Sequence, residues 1–419
     1  MPGADPRRDH AASDDAPAAA LDVAPGDLGD GTADGTADDA ADVQRPRSVG
    51  LVLGAGGGSG WAWMVGCLGA LAEVAGWDAR SADLIIGTSA GAGIGATLRA
   101  GLGPRDQFRQ YRGEAVSPEG EAFFARAREV TRSPGPADHA PAPEGDDVPT
   151  DGDHTTAATG AAPVTRTTSA PTTSARTTDA DGTAAASGAQ RPASVLLALR
   201  SLRSWPPRAG LAYAGIQPRG HHDHDGLGAR LDALGDGAWP SRPLWITALR
   251  LDNGRRVVFG RDGVDPGRIG TAVEASSAVP GWYAPVRIGG RDYVDGAAWS
   301  TTNADLLAGL GFDLALVLAP QSVTSARLAR DVRSLPRAYH RSMLSREIDV
   351  VHRNGTDVVV LEPTPQDLEL LAVRRARLDD GRRRAIAERG HELTLQRLAD
   401  DASLAPLTLL ADKAAGGTG

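Results

Sequence analysis

The chain has 419 residues, with 53 acidic against 44 basic side chains and a single cysteine. The formal net charge is −9, and the mildly basic remainder left outside two acidic stretches carries too little charge to argue for a nucleic-acid partner. The lone Cys67 excludes an intramolecular disulfide, and it falls in an apolar helix pattern where a buried, inert thiol is expected. No apolar run reaches the ~18 residues of a membrane-spanning helix. The charge is unevenly spread. Residues 1–46 hold 11 Asp against 3 Arg, and residues 133–192 hold 7 Asp and 1 Glu against 3 Arg, which leaves the remainder at +4. Both acidic stretches consist of Ala, Asp, Gly, Pro, Ser and Thr with almost no large apolar side chain. Neither can bury enough surface to offset its ordering entropy. They are expected to be a disordered tail over 1–46 and a disordered insert over 133–192, the insert interrupting one domain that spans 47–415. The N-terminus carries no apolar signal core, so a cytoplasmic location, peripheral to the membrane at most, is the expectation.

In chain order, Ser48–Gly54 reads as a strand. A glycine loop follows, Gly54-Ala55-Gly56-Gly57-Gly58-Ser59-Gly60, and then an apolar helix over 61–75. Strand, glycine loop and helix also open dinucleotide and phosphate sites. Here Ala55 and Ser59 break Gly-x-Gly-x-x-Gly in every register, and no Gly-Lys-Ser/Thr is present. The better functional reading is a nest of backbone N–H groups suited to an oxyanion, set beside plain strand–helix packing. Next comes Leu84–Ile86, a buried strand that ends in Gly87-Thr88-Ser89-Ala90-Gly91 and passes into a helix running to about Leu102. Strand, sharp turn and helix is the context of a nucleophile elbow. The two glycines clear space for the turning backbone. Ser89 is left on a strained corner at the positive end of a helix. A turn that merely contains serine is the alternative.

Residues 105–131 read as helical, with Phe108, Tyr111, Phe123 and Phe124. Ser194–Ser204 reads as a short amphipathic helix with Val195, Leu196, Leu199 and Leu202 on one side. That side is expected to face the core, and a lipid-facing lid is the other reading. His221-His222-Asp223-His224-Asp225 is read as a solvated loop, because no second ligand cluster accompanies it. No metal and no cofactor are expected. Leu244–Leu251 and Arg255–Phe259 are strands joined at Asp252-Asn253-Gly254, a hairpin signal. A helix over 268–278 stops before Pro280. Val286–Ile288 and Tyr293-Val294 pair around Gly289-Gly290, and Asp295-Gly296-Ala297 follows. A helix over 303–310, a strand over 314–318, a long helix within 322–353, a strand over 358–361 and a charged helix over 379–400 complete the chain. Alternating strands and helices predict an α/β core with a largely parallel sheet.

Acyl transfer needs a nucleophile, a proton acceptor and oxyanion donors. Ser89 serves as the first, and Gly56, Gly57 and Gly58 as the donors. For the base, a triad in the order Ser, acid, His leaves only His340, His352 and His391, all on helical patterns. The other candidate is Asp295 at a strand end, where a turn aspartate is the plainer reading.

Three blocks, Gly54–Leu71, Gly87–Gly91 and Asp295–Ala297, together with Ala275–Gly281, resemble the patatin-like phospholipases of the bacterial kind in order and spacing. The resemblance spans about 47–132 and 193–400. It departs at Ser59, where many relatives carry Arg or Lys, and at Ala55, where they carry Gly. It implies a three-layer α/β/α sandwich with a largely parallel central sheet. It further implies a Ser89–Asp295 dyad without a catalytic histidine, Gly87, Thr88, Ala90 and Gly91 forming the elbow, and Gly296 and Ala297 completing the Asp-Gly-Ala motif. The oxyanion hole would be formed by the amides of Gly56–Gly58. The activity implied is that of a serine lipid acyl hydrolase acting on a lipid ester at a membrane or micelle surface. An acyltransferase using the same site, a catalytically silent lipid-binding protein and an ordinary α/β-hydrolase are the alternatives. An aspartate of ordinary pKa is a poor base, so the reading requires Asp295 desolvated and close to the Ser89 hydroxyl. Trp61, Trp63, Phe123, Phe124 and Leu196–Leu202 are the candidates for an acyl channel.

Overall fold

Strands that are apolar on both faces need cover on both sides, and the arrangement of the chain supplies it. The computed structural model describes residues 48–132, 192–201, 209–224, 226–324, 335–371 and 378–400. The tail expected over 1–46 and all but Pro192 of the insert expected over 133–192 lie outside these residues.

The strands are β1 (Val49–Leu53), β2 (Leu84–Gly87), β3 (Leu244–Arg250), β4 (Arg256–Phe259), β5 (Val286–Ile288), β6 (Arg291–Asp295), β7 (Leu314–Leu318) and β8 (Asp357–Leu361). They form one sheet in the order β5-β6-β3-β2-β1-β7-β8, with β4 also on β3. The central pairs β3–β2, β2–β1, β1–β7 and β7–β8 are parallel. The hairpins that bring in β4, β5 and β6 are antiparallel. The helices are α1 (Gly57–Val74), α2 (Ala90–Arg99), α3 (Pro104–Arg112), α4 (Pro118–Arg132), α5 (Val195–Ser201), α6 (Ala209–Ile216), α7 (Leu227–Asp232), α8 (Ile269–Ser277), α9 (Leu335–Arg353), α10 (Leu368–Leu371) and α11 (Asp380–Asp400).

The period-2 alternation of the strands sorts them into two layers of core. Val49, Leu51, Leu53, Leu314 and Leu316 pack with α1, α2, α8 and α11 on one face. Val52, Ile86, Ala315 and Val317 face the other way, against Leu344 and Val351 of α9. This is the three-layer α/β/α sandwich that the resemblance implies, with a mostly parallel sheet as the alternation of strands and helices predicts. Small residues allow α1 and α11 to cross closely. A Cβ at Gly66 would run into the carbonyl of Ala387, and one at Gly390 into the carbonyl of Trp63. Cys67 is buried in this layer, and burial pushes its thiol up to about 12.

Three local expectations change. The helix expected over 105–131 is two, α3 and α4, because Gly113 ends α3 in the left-handed region at φ 70°. The helix expected over 303–310 is a single 3-10 turn, Ala304–Leu307, followed by Gly309 and Gly311, both at positive φ. In α5 the buried side chain is Leu197, whereas Leu196 and Leu199 are exposed. Leu197 packs with Leu211 and Ala214 of α6 onto Leu249 and Val294 of the sheet. Of the face expected to enter the core, Leu196 and Leu199 therefore point outward, and Leu202 lies outside the described residues.

Candidate active site

Loops that leave the carboxyl ends of parallel strands are where open α/β sheets place their sites. The glycine loop follows β1 and Gly87–Gly91 follows β2. Leu53 and Gly87 are partners in register, and the Thr88 N–H donates to the Leu53 carbonyl at 3.0 Å. The backbones here are too close for side chains. A Cβ at Gly87 would lie 2.5 Å from Ala92 Cα, and one at Gly91 would strike the Leu53 carbonyl. These contacts account for glycine at both ends of the elbow. Between them Ser89 is held at φ 54° and ψ −117° as the N-cap of α2, a left-handed φ that costs a non-glycine residue on the order of 1–3 kcal/mol. Ala90 begins the helix and is buried. The Ser89 N–H donates to Ser276 Oγ at 2.8 Å, which ties the corner to the end of α8.

In the glycine loop, the N–H groups of Gly54 and Ala55 are bound to the carbonyls of Leu318 and Thr301 at 3.0 and 2.7 Å. Gly56 is the N-cap of α1, and its Cβ position lies 2.6 Å from Gly60 Cα. Gly57, at φ 57°, and Gly58 open the helix and are exposed. First-turn N–H groups have no acceptor within their own helix and carry the positive end of its dipole. The amino ends of α1 and α2 thus open beside each other at the same edge of the sheet.

Asp295 ends β6, opposite Ala248 of β3. Its N–H donates to the Ala278 carbonyl at 2.9 Å. Its carboxylate accepts the Ala297 N–H at 2.8 Å, and the Ser89 side chain lies close enough to act on it. Burial pushes the Asp295 carboxyl from 3.8 up to about 7, and these two groups only partly oppose it. Gly296 is needed because a Cβ there would lie 2.5 Å from the Thr247 carbonyl. Ala297 contributes its N–H. The structure therefore places Ser89 and Asp295 in contact, with the two helix amino ends nearby.

Behind them lies a buried polar cluster that the sequence did not reveal. Thr88 Oγ1 and Thr247 Oγ1 are 2.9 Å apart. Asn303 Nδ2 donates to Thr88 Oγ1 at 3.0 Å, to Thr247 Oγ1 at 3.3 Å and to the Ser300 carbonyl at 2.7 Å. Asn303 is fully buried and left-handed at φ 56°, a conformation asparagine tolerates better than most residues. Arg256 donates to Asn303 Oδ1 at 3.0 Å and pairs with Asp305. Glu347 of α9 accepts from Thr302 Oγ1 at 2.6 Å and from the Ala304 N–H at 2.9 Å. Burial, and then the negative Asp305, push Glu347 up to about 7. Of this cluster the sequence had singled out only Thr88, as part of the elbow, while Ser276 lay inside the Ala275–Gly281 stretch.

None of the three late histidines is among the groups that act on the Asp295 carboxyl. His391 is 2.8 Å from Glu73 and stacks on Phe108 at 4.5 Å, between α1, α3 and α11. His340 and His352 are on α9, and burial lowers His340 to about 4. His222 stacks on Trp282 and His224 on Tyr283. Among the described residues no group of three or more His, Cys, Asp or Glu side chains is arranged to hold a metal, and no helix is long and apolar enough to cross a membrane. Of the aromatic channel candidates, Trp63 is core. Trp61, Phe123 and Phe124 line an apolar cavity of about 310 Å³ with Tyr111, Leu231 and Leu234. The Trp61 ring lies over Gly93, where no Cβ would fit, one turn along α2 from Ser89.

Fold and site together define an α/β/α protein that sets a strained serine against a desolvated carboxylate at its strand ends. Residues 240–308, from the start of β3 to the loop beyond Asn303, match the family model of the patatin-like phospholipases. The match covers less than half of the chain and takes in Ser276, Asp295–Ala297 and Asn303. No match to the chain is found among curated proteins.

Proposed function

We propose that the protein is a serine lipid acyl hydrolase, a carboxylic ester hydrolase of the phospholipase A or lysophospholipase type. The contact between the Ser89 side chain and the buried Asp295 carboxylate, whose pKa is raised to about 7, carries this reading. A base needs a pKa near the working pH, and only a desolvated aspartate has one. Ser89 Oγ attacks the ester carbonyl carbon while its proton passes to Asp295. The oxyanion that forms is taken up by N–H groups of Gly56–Gly58 at the start of α1. The bond from carbon to the alcohol oxygen then breaks, and the leaving alcohol takes the proton from Asp295. Water, deprotonated by the same carboxylate, then attacks the acyl carbon, the bond to Ser89 Oγ breaks, and Ser89 Oγ takes the proton back from Asp295 as the acid leaves. Catalysis without histidine fits the position of His391 against Glu73 and Phe108 and the lack of any histidine among the groups that act on Asp295.

A fluorophosphonate probe tests the reading. It is expected to label Ser89 alone, with the modified peptide mapped by mass spectrometry, and Ser89→Ala should abolish both labelling and ester hydrolysis in a folded protein. Hydrolysis that persists in that variant removes the enzyme assignment.

A further inference from the structure

Single exposed apolar side chains are ordinary on protein surfaces. What needs explaining here is their clustering. Among the described residues nine large apolar side chains are exposed, and six of them, Leu196, Leu199, Tyr213, Ile216, Val279 and Trp282, lie on α5, α6 and the 279–282 turn. Leu196 is 67% exposed, Ile216 58% and Trp282 50%.

The geometry makes them one surface. Leu197, Leu211 and Ala214 anchor α5 and α6 to the sheet. On a 3.6-residue helix, Leu196 and Leu199 then fall on the outer side of α5, and Tyr213 and Ile216 on the outer side of α6. The two helices pack on each other. Gln217, which follows α6, fills the space a Cβ would take at Gly281, and the His222 ring stacks on Trp282 at 4.5 Å. The 217–222 stretch therefore joins the end of α6 to the 279–282 turn.

The inner edge of this surface is the candidate active site. Gly210 of α6 lies so close to Ala298 that a Cβ would strike its carbonyl. Val279 follows Ala278, whose carbonyl holds the Asp295 N–H. Ser276, which holds the Ser89 N–H, is three residues before it. The flank is basic. Exposed Arg219 and Arg287 share the single carboxylate of Asp292, and Arg250 and Arg291 share Asp252. Among the described residues of this flank, four arginines stand against three aspartates, the exposed Asp223 included.

We propose that the outer faces of α5 and α6 with the Trp282 turn form the surface by which the protein docks on an anionic lipid interface. An apolar face edged by arginine, with a tryptophan at the rim, has the chemistry of an interfacial element. Its position lets a lipid pass from the interface to Ser89 without crossing open water. The proposal rests on the hydrolase reading for its purpose, but binding is measured without turnover.

The test uses the full chain in a Ser89→Ala background, so the vesicles stay intact. Cosedimentation is measured with vesicles of phosphatidylcholine plus phosphatidylglycerol, and with phosphatidylcholine alone. The parent should bind the anionic vesicles more tightly. Tyr213→Glu/Ile216→Glu/Trp282→Glu, all at exposed positions, should weaken binding at least about tenfold. With Ser89 restored, the triple variant should hydrolyse a short soluble ester within about twofold of the parent, which shows that the fold and site are intact, and should lose activity on vesicles. Equal vesicle binding by parent and triple variant overturns the proposal. So does a parent that binds no vesicles but self-associates through this face, with the triple variant monomeric. Failure of the hydrolase reading would show separately, as absent ester turnover with vesicle binding retained.

Discussion

Asp295→Asn should cripple the protein and stabilise it at once. Burial raises the carboxyl from 3.8 to about 7, roughly three pKa units at 1.36 kcal/mol each, so holding the charge in the dry site costs on the order of 4 kcal/mol. The folded state keeps a proton that the unfolded chain releases between these two values. The stability associated with this group is therefore complete below about pH 4 and is lost as pH rises to about 7. Asparagine has the same shape, accepts the Ala297 N–H and never ionises. The stability difference between variant and parent should be near zero at pH 4, grow through the interval, and level off above pH 7 in favour of the variant. Thermal unfolding across pH reads it, with a shift on the order of ten degrees at pH 8. Glu347, which burial also raises, is the same in both proteins, so the difference curve, not the parent's curve, isolates Asp295. Turnover of a short ester should fall by roughly two to four orders of magnitude in the variant, and kcat/KM of the parent should rise with pH to a plateau with its midpoint near 7. A stability difference that is flat with pH would refute the desolvation argument. Retained turnover would remove Asp295 as the base.

Further outcomes follow from the surroundings of the pair. Asn303→Ala leaves the Thr88 and Thr247 hydroxyls and the Ser300 carbonyl short of a donor in a buried cluster. It should cost about 2–4 kcal/mol in chemical denaturation and lower kcat more than it raises KM, because Thr88 adjoins the nucleophile. His340→Ala, His352→Ala and His391→Ala should each stay within about tenfold of the parent in ester turnover, and one variant as inactive as Asp295→Asn would point to a triad. Removing residues 1–44, and replacing 136–190 with a short Gly/Ser linker, should leave the unfolding midpoint within about a few degrees, since neither stretch has the composition to build a core. A large drop would show that one of them packs on the domain.

Much of this was legible in the sequence because it is local. A strand that ends in Gly-Thr-Ser-Ala-Gly and passes into a helix can turn in few ways, and the close approaches at Gly87 and Gly91 show why. The strand over 314–318 and its neighbours are apolar on both faces, which already demanded two helical layers. Helix α5 was legible as a helix but not in orientation. Leu196, Leu197 and Leu199 are all apolar, so a seven-residue helix has no polar stripe to set its rotation.

The order of the blocks and the strained corner at Ser89 were determined by the sequence, through short-range backbone sterics and spacing, whereas Asp295 rather than a histidine came only as what the resemblance to the patatin-like phospholipases implied. Only the tertiary structure decided the rest. Ser276 reaches Ser89 across 187 residues and Asn303 reaches Thr88 across 215, and no local pattern encodes such a pairing. The raised pKa of Asp295 belongs to the dry space made when β6, β3 and the elbow close around it, because desolvation is a property of packing and not of the aspartate itself. The outward face of α5 was settled in the same way, by which leucine the sheet had room to bury.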